Sequence, residues 1–208
     1  MKILILGSTG DTGQELVKQA LSQRHEVTAL VRNVSKLRIH NDKLSIVTGD
    51  VMDRNILMKA VEGKEAVLSA LGTGKSLKSR NLISNAVSLL IPIMTEQNVR
   101  RLIFLSAFGV GDTLKQASLI QRIAFGLFLK NIYADKVKGD EQIKMSSLDW
   151  TLVYPVLLTN KPYSGKYRAG EKFQMKGMPK ISRADVAHFM LRQLTDDAYL
   201  KKCPILRN

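Results

Sequence analysis

What most constrains this chain is an alternation. Short apolar runs rich in β-branched residues fall at 2–6, 27–31, 44–47, 66–71, 102–105 and 151–154. Between them, apolar residues recur at helical spacing over 12–23, 53–61, 80–97, 117–145 (with a possible break) and 182–194. In the first of these stretches Leu16, Val17, Ala20 and Leu21 share one face of a 3.6-residue period. Strands that are apolar throughout are buried on both faces, and such strands separated by helices make a parallel sheet covered on each side. Right-handed crossovers then predict a three-layer, doubly wound α/β fold. No repeat or linker divides the 208 residues, a length that suits a single domain. Pro92 should kink the 80–97 helix, because its ring removes a helical hydrogen bond. The stretch 161–180 carries Gly165, Gly170, Gly177, Pro162 and Pro179. It reads as loop with short strand, a substrate-side lobe (about 157–181) on the same sheet.

The first strand runs into Gly7-Ser8-Thr9-Gly10-Asp11-Thr12-Gly13, and the first helix follows. In that setting the glycines have separate uses. Gly7 permits a tight turn, Gly10 lets backbone approach a pyrophosphate, and Gly13 lets helix pack closely on strand. The helix N-terminus adds unpaired amides and the positive end of its dipole. These features predict a Rossmann fold binding a dinucleotide; the competing reading is a purely structural turn. The second strand should then choose the cofactor. An acid there would hydrogen-bond the ribose of NAD, but this strand ends in Arg32, with Lys36 and Arg38 close behind. A guanidinium suits a 2′-phosphate, so NADP(H) is favoured over NAD(H). The alternative is that Arg32 only ends a strand in solvent. Asp50 and Val51, after the third strand, and Leu71 and Gly72, after the fourth, fall where adenine and ribose contacts belong.

Charge is the unusual entry in the composition: 32 basic against 18 acidic residues give a net charge of +14. That field attracts polyanions, phosphorylated cofactors among them, and equally serves solubility. Lys161, Lys166, Arg168, Lys172, Lys176 and Lys180 face only Glu171 in their stretch. No aromatic-interleaved RNA motif, zinc-finger spacing or helix-turn-helix pattern accompanies them, which argues against specific nucleic-acid binding. Cys203 is the single cysteine, so no internal disulfide forms and a reducing compartment, the cytoplasm, is expected. The apolar opening stops at Gly7, too early for a signal peptide, and no apolar run approaches the roughly 18 residues of a membrane span. His25, His40 and His188 are scattered, which predicts no metal site. Oligomeric state is not readable.

With those pieces placed, the chain resembles the atypical short-chain dehydrogenase/reductase group. The resemblance is greatest to its NAD(P)H-binding, NmrA-like branch and, within that, to the biliverdin- and flavin-reducing type. It runs through 7–13, 27–32, 47–51, 71–74 and 105–108, then Tyr154-Pro155, Gly165-Lys166-Tyr167 and 181–191. It implies NADPH and hydride transfer to a planar, small-molecule aromatic acceptor such as a flavin, tetrapyrrole or quinone. By position it implies that Ser8, Thr9, Asp11 and Thr12 line the phosphate loop and that Arg32 takes the 2′-phosphate. Ser106 would lie by the nicotinamide, Pro155, Val156 and Leu157 would offer backbone groups to its carboxamide, and Lys136 would sit near its ribose. The usual Tyr-x-x-x-Lys pair is altered, because Tyr133 precedes Lys136 by three residues. Three and four apart share a helix face, so Tyr133 stays a candidate proton donor; water or the acceptor's own acidity is the alternative. The apolar, basic span 112–131 is expected to be a lid or pocket wall, with a core helix, a dimer face or a membrane-surface helix as alternatives. A second function follows from the altered pair: an NADP(H)-binding redox sensor without turnover. A nucleotide-sugar epimerase fits less well, the chain being short for a sugar lobe.

Overall fold

The computed structural model describes residues 1–74, 81–118, 122, 126, 129–175 and 177–208. Much of the apolar span 112–131 therefore lies outside the described residues. The strands are β1 (Lys2–Leu6), β2 (Glu26–Val31), β3 (Leu44–Thr48), β4 (Ala66–Ser69), β5 (Arg101–Leu105), β6 (Asp149–Pro155), β7 (Leu157–Thr159), β8 (Arg168–Gly170), β9 (Lys180–Ser182) and β10 (Ile205–Arg207). The helices are α1 (Asp11–Ser22), α2 (Arg54–Val61), α3 (Leu82–Glu96), α4 (Lys130–Met145) and α5 (Arg183–Arg192). The main sheet runs β3-β2-β1-β4-β5-β6-β10-β8, parallel except where β8 meets β10. This is the doubly wound order 3-2-1-4-5-6 with an added edge, and its direction of winding reverses between β1 and β4.

Burial explains the strand composition. Ile3, Leu4, Ile5, Val67, Leu68, Leu102, Ile103 and Phe104 are all inaccessible to solvent. Helices cover both faces of these strands, with α1 packed on α5, and α3 on α4 and α2. Each such Leu or Ile contributes roughly 1.5–3 kcal/mol by leaving water. α3 runs through Pro92 without a break. Pro92 and Ser88, whose carbonyl loses its helical donor, both lie on the exposed side. No helix among the described residues is long and apolar enough to cross a membrane.

Three expectations change. The fourth strand ends at Ser69, not Leu71, so Ala70–Leu71 turns outward at the strand's carboxyl end. The stretch 157–181, expected as a lobe on the same sheet, joins that sheet only in part. β7 pairs with β9 as a separate ribbon, while β8 joins the edge of the main sheet through β10. Strand β10 had no sequence assignment; its Ile205 and Leu206 are fully buried beside β6.

α3 begins at Asn81, whose side chain gives no cap bond and whose backbone is left-handed (φ 54°). The cap comes from another helix instead. Asp135 of α4 accepts from the Ile83 and Ser84 amides at 3.0 and 2.9 Å, and from the Ser84 hydroxyl at 2.7 Å. Replacing Asp135 strands two buried amides and a hydroxyl. Asp135→Ala should cost roughly 2–4 kcal/mol in urea unfolding, with Asn in its place recovering part. A cost below about 0.5 kcal/mol would remove this contact from the fold's support.

Candidate functional site

The turn after β1 opens into a cleft at the carboxyl ends of the strands. Its walls are Gly7, Thr9 and Gly10 from the turn, Val31 and Arg32 after β2, and Asp50 and Val51 after β3. Leu71, Gly72 and Leu82 close the β4 side. The cleft thus sits where the strand order reverses, the place where open α/β sheets bind ligands. Of the residues singled out in the sequence, Gly7, Thr9, Gly10, Arg32, Asp50, Val51, Leu71 and Gly72 come together on this one surface.

The glycines divide by geometry. Gly7 has φ +75°, and a Cβ there would meet the Ala70 carbonyl oxygen at 2.5 Å. A Cβ on Gly13 would lie 2.0 Å from the Gly7 carbonyl oxygen. Both positions are closed by backbone, so the fold itself demands glycine. Gly10 is different. It caps α1 with an ordinary φ of −78°, and an added Cβ would touch nothing nearer than the Gly7 carbonyl oxygen at 3.4 Å. The protein leaves room for a side chain there, on the lining of the cleft, and the sequence does not use it.

Other members of the turn point elsewhere. Ser8 is fully buried, and its Oγ has no hydrogen-bond partner among the described residues. Thr12 and Gly13 are buried within the first turn of α1. Asp11 is exposed and lies 3.7 Å from Arg183 Nε, the guanidinium that also donates to Asn160 at 2.6 Å. Asp50 closes its own turn by accepting from the Met52 amide at 3.0 Å. Arg32 is exposed at the mouth, with no hydrogen bond or ion pair among the described residues.

Ser106, Tyr133 and Lys136 form a second group at the carboxyl end of β5, off the lining of the cleft. Ser106 Oγ lies 2.6 Å from Asp140 Oδ2, and the Tyr154 hydroxyl donates to the same oxygen at 2.8 Å. Asp140 is buried, and its Oδ1 has no partner among the described residues. Burial pushes its carboxyl above the usual range, against the opposing pull of the Ser106 bond and Lys136. Lys136 is buried too. Its Nζ donates to the Leu105 carbonyl at 3.3 Å, and desolvation lowers its pKa. The Tyr133 hydroxyl donates to the Phe108 carbonyl at 3.0 Å, and burial pushes it up to about 12. A phenol so placed holds its proton. Tyr154 is likewise raised, by burial first and then by Asp140.

Pro155, Val156 and Leu157 make the bend from β6 into β7. The Pro155 carbonyl accepts from the Phe108 amide at 3.0 Å, and the Val156 amide donates to Leu206 at 3.0 Å. The Val156 N–H is therefore engaged within the fold, while the Leu157 side chain is exposed. The 157–181 stretch is tied down by α5. Ser182 caps that helix by accepting from the Asp185 amide at 2.9 Å. Asp185 in turn accepts from the Ser164 and Gly165 amides at 2.9 and 3.0 Å. His188 lies 2.8 Å from the Tyr167 hydroxyl through Nδ1. Sequence reasoning missed Asp140 and Asp135. Their signal was two acids on a helix whose other apolar positions mark them as inward-facing.

The turn, the switch-point cleft and the strand order converge on one assignment. The chain belongs to the NAD(P)H-binding family. That family's profile matches residues 7–197. Protein YwnB of Bacillus subtilis is 27% identical over 202 residues, which cover 93% of this chain and 92% of YwnB. Two solved structures superpose on the whole chain. ChuY, an anaerobilin reductase of Escherichia coli O157:H7, does so with TM-score 0.82 and 20% identity over 97% of its own length. A short-chain dehydrogenase/reductase of Veillonella parvula in complex with NADP does so with TM-score 0.84 and 18% identity over 94% of its length. At those identities the likeness speaks for the fold.

Gly10→Ala separates the fold from the site. The backbone accepts the methyl, so thermal unfolding should shift by no more than about 3 °C. Dinucleotide affinity, measured by calorimetry, should fall about tenfold or more because the methyl stands where backbone must meet phosphate. A variant that binds like wild type would leave Gly10 without a role in the site.

Proposed function

We propose that the chain is an NADPH-dependent reductase that passes hydride to a planar aromatic acceptor such as a flavin, tetrapyrrole or quinone. The observation that carries the reading is Gly10, a residue that the packing does not require to be glycine, on the lining of a cleft at the switch point. A pyrophosphate there meets the first-turn amides of α1, which have no carbonyl partners inside the helix. Asp50, Val51, Leu71 and Gly72 then flank adenine and ribose. Arg32, exposed and without a partner among the described residues, is available to a 2′-phosphate.

Bound NADPH supplies the hydride. Ser106, Lys136, Pro155, Val156 and Leu157, at and near the carboxyl ends of β5 and β6, would hold the nicotinamide end of the cofactor. Of the last three, the Leu157 side chain is exposed, while the Val156 amide is engaged by Leu206 and the Pro155 carbonyl by Phe108. Proximity and orientation provide most of the rate, up to roughly 7–11 kcal/mol in well-aligned systems. We read residues 1–208 as one working unit whose 157–181 lobe, with Lys161, Lys166, Arg168, Lys172 and Lys180, receives an acceptor bearing a carboxylate or phosphate. ChuY, named for a tetrapyrrole-type acceptor, and the Veillonella complex, named for NADP, support the reading. The lone thiol Cys203 suits a reducing cytoplasm.

A sensor that binds the cofactor without turnover is the competing reading, favoured by Tyr133 holding its proton on Phe108. NADPH consumption on a panel of flavins, biliverdin-like tetrapyrroles and quinones decides between them. Arg32→Asp should weaken NADPH roughly 10- to 100-fold, the range of lost charge-assisted bonds, and NADH by less than about threefold. Equal losses for both coenzymes would contradict the role given to Arg32.

A further inference from the structure

A hydroxyl has one proton, so the direction in which Ser106 donates depends on what Asp140 is. If Asp140 is a carboxylate it can only accept. The Ser106 proton then points inward, and Ser106 offers a ligand nothing but lone pairs. If Asp140 is a carboxylic acid, it can donate to Ser106 across the 2.6 Å contact, and the Ser106 proton is freed from that contact. The surroundings favour the acid. Asp140 is 2% exposed and makes no ion pair among the described residues. One of its oxygens has no partner among the described residues, a costly state for an ionised carboxylate and a milder one for a neutral acid. Tyr133, on the same helix, donates to the Phe108 carbonyl.

We propose that Asp140 and Ser106 form a proton relay serving the reduction, with Asp140 as the acid and Ser106 as the group that hands the proton on. The inference rests on the reductase reading above. The balance is simple. Hydride leaves NADPH, giving NADP⁺, and bonds to the electrophilic atom of the acceptor, a methine carbon in a bilin or a ring nitrogen in a flavin. The Ser106 O–H proton moves to the acceptor's heteroatom as the Asp140 proton moves to Ser106 Oγ. Asp140 is left as a carboxylate and regains a proton from water. The acceptor class is thereby narrowed to conjugated systems whose reduction places a proton on nitrogen or oxygen, as in a flavin, a quinone or a bilin.

The groups facing Asp140 set the sign of its pH dependence. Lys136 and Lys144, on its own helix, pull its pKa down, as do the Ser106 and Tyr154 hydroxyls; burial pushes it up and prevails. Cys203, ahead of β10, has its own thiol pushed up by burial. From α3 the packing against neighbouring Gly139 is apolar, by Ile83 and Val87. The raised pKa keeps the acid form to higher pH, and turnover is lost as pH rises through it, because a carboxylate has no proton to give.

The test uses the whole chain and two readouts. Asp140→Asn, nearly isosteric, should lower kcat about 100-fold or more and abolish the basic limb of the kcat–pH profile. NADPH Kd should stay within about twofold. Ser106→Ala should do the same, and the double variant should be no worse than either single one, as expected of groups acting as a unit. Infrared difference spectra give the second readout: a protonated-carboxyl C=O band at neutral pH in wild type and in Ser106→Ala, absent in Asp140→Asn. Ser106→Ala and the wild-type spectrum keep the test open should Asp140→Asn fail to fold. The relay is overturned if Asp140→Asn keeps kcat and its basic limb, or if Asp140 is carboxylate at neutral pH. A wild type that consumes no NADPH with any acceptor overturns the reductase reading, and the relay with it. An active wild type with indifferent variants overturns the relay alone.

Discussion

The backbone of the first turn lies against the first helix with no space for a side chain. A Cβ on Gly13 would come within 2.0 Å of the Gly7 carbonyl oxygen, and one on Gly7 within 2.5 Å of the Ala70 carbonyl oxygen. Two strands and a helix are thereby brought together at backbone distance, at the point where the sheet reverses its winding. Everything else about the site is placed by that closeness. The amino end of α1 faces the gap between β1 and β4, and Arg32, Asp50 and Leu71 reach the same opening from their own strand ends. Dipole and unpaired amides then make the opening attractive to phosphate before any side chain is considered.

The second group works on a different principle. Asp140, Ser106, Tyr154 and Lys136 are polar residues in an apolar interior, where hydrogen bonds strengthen and stray charges are expensive. Asp140 and Lys136 are each driven toward their neutral forms by burial. Such a pair is poor as an ion bridge and well suited to holding or releasing a proton. In the proposed reading the glycine turn sets where a cofactor goes, and the buried cluster sets what protons are at hand.

Much of this was legible in the sequence because it depends on local pattern. Strands such as 2–6 and 102–105 announce themselves by unbroken apolar character, and the turn by its glycine spacing next to a strand. The helix cap at Ser182, with Asp185 three residues on, is equally local. What stayed hidden is tertiary. Asp135 caps a helix some fifty residues away in sequence, a relation that no window reveals. β10 is three residues long and is a strand only because β6 and β8 lie on either side of it. Val156 looked free to bind a carboxamide until its amide was found on Leu206, the partner supplied by that same strand. Ser8 was read as lining the phosphate loop, yet its hydroxyl turns into the core, a choice of rotamer that spacing cannot encode.

The account rests on the dinucleotide lying along the α1 amides. A crystal of the protein grown with NADPH tests this directly. The pyrophosphate should appear within hydrogen-bond distance of the amides at the start of α1, with no side chain between, and the 2′-phosphate against Arg32. A dinucleotide bound anywhere else, or a cleft that stays empty at saturating coenzyme, would contradict it.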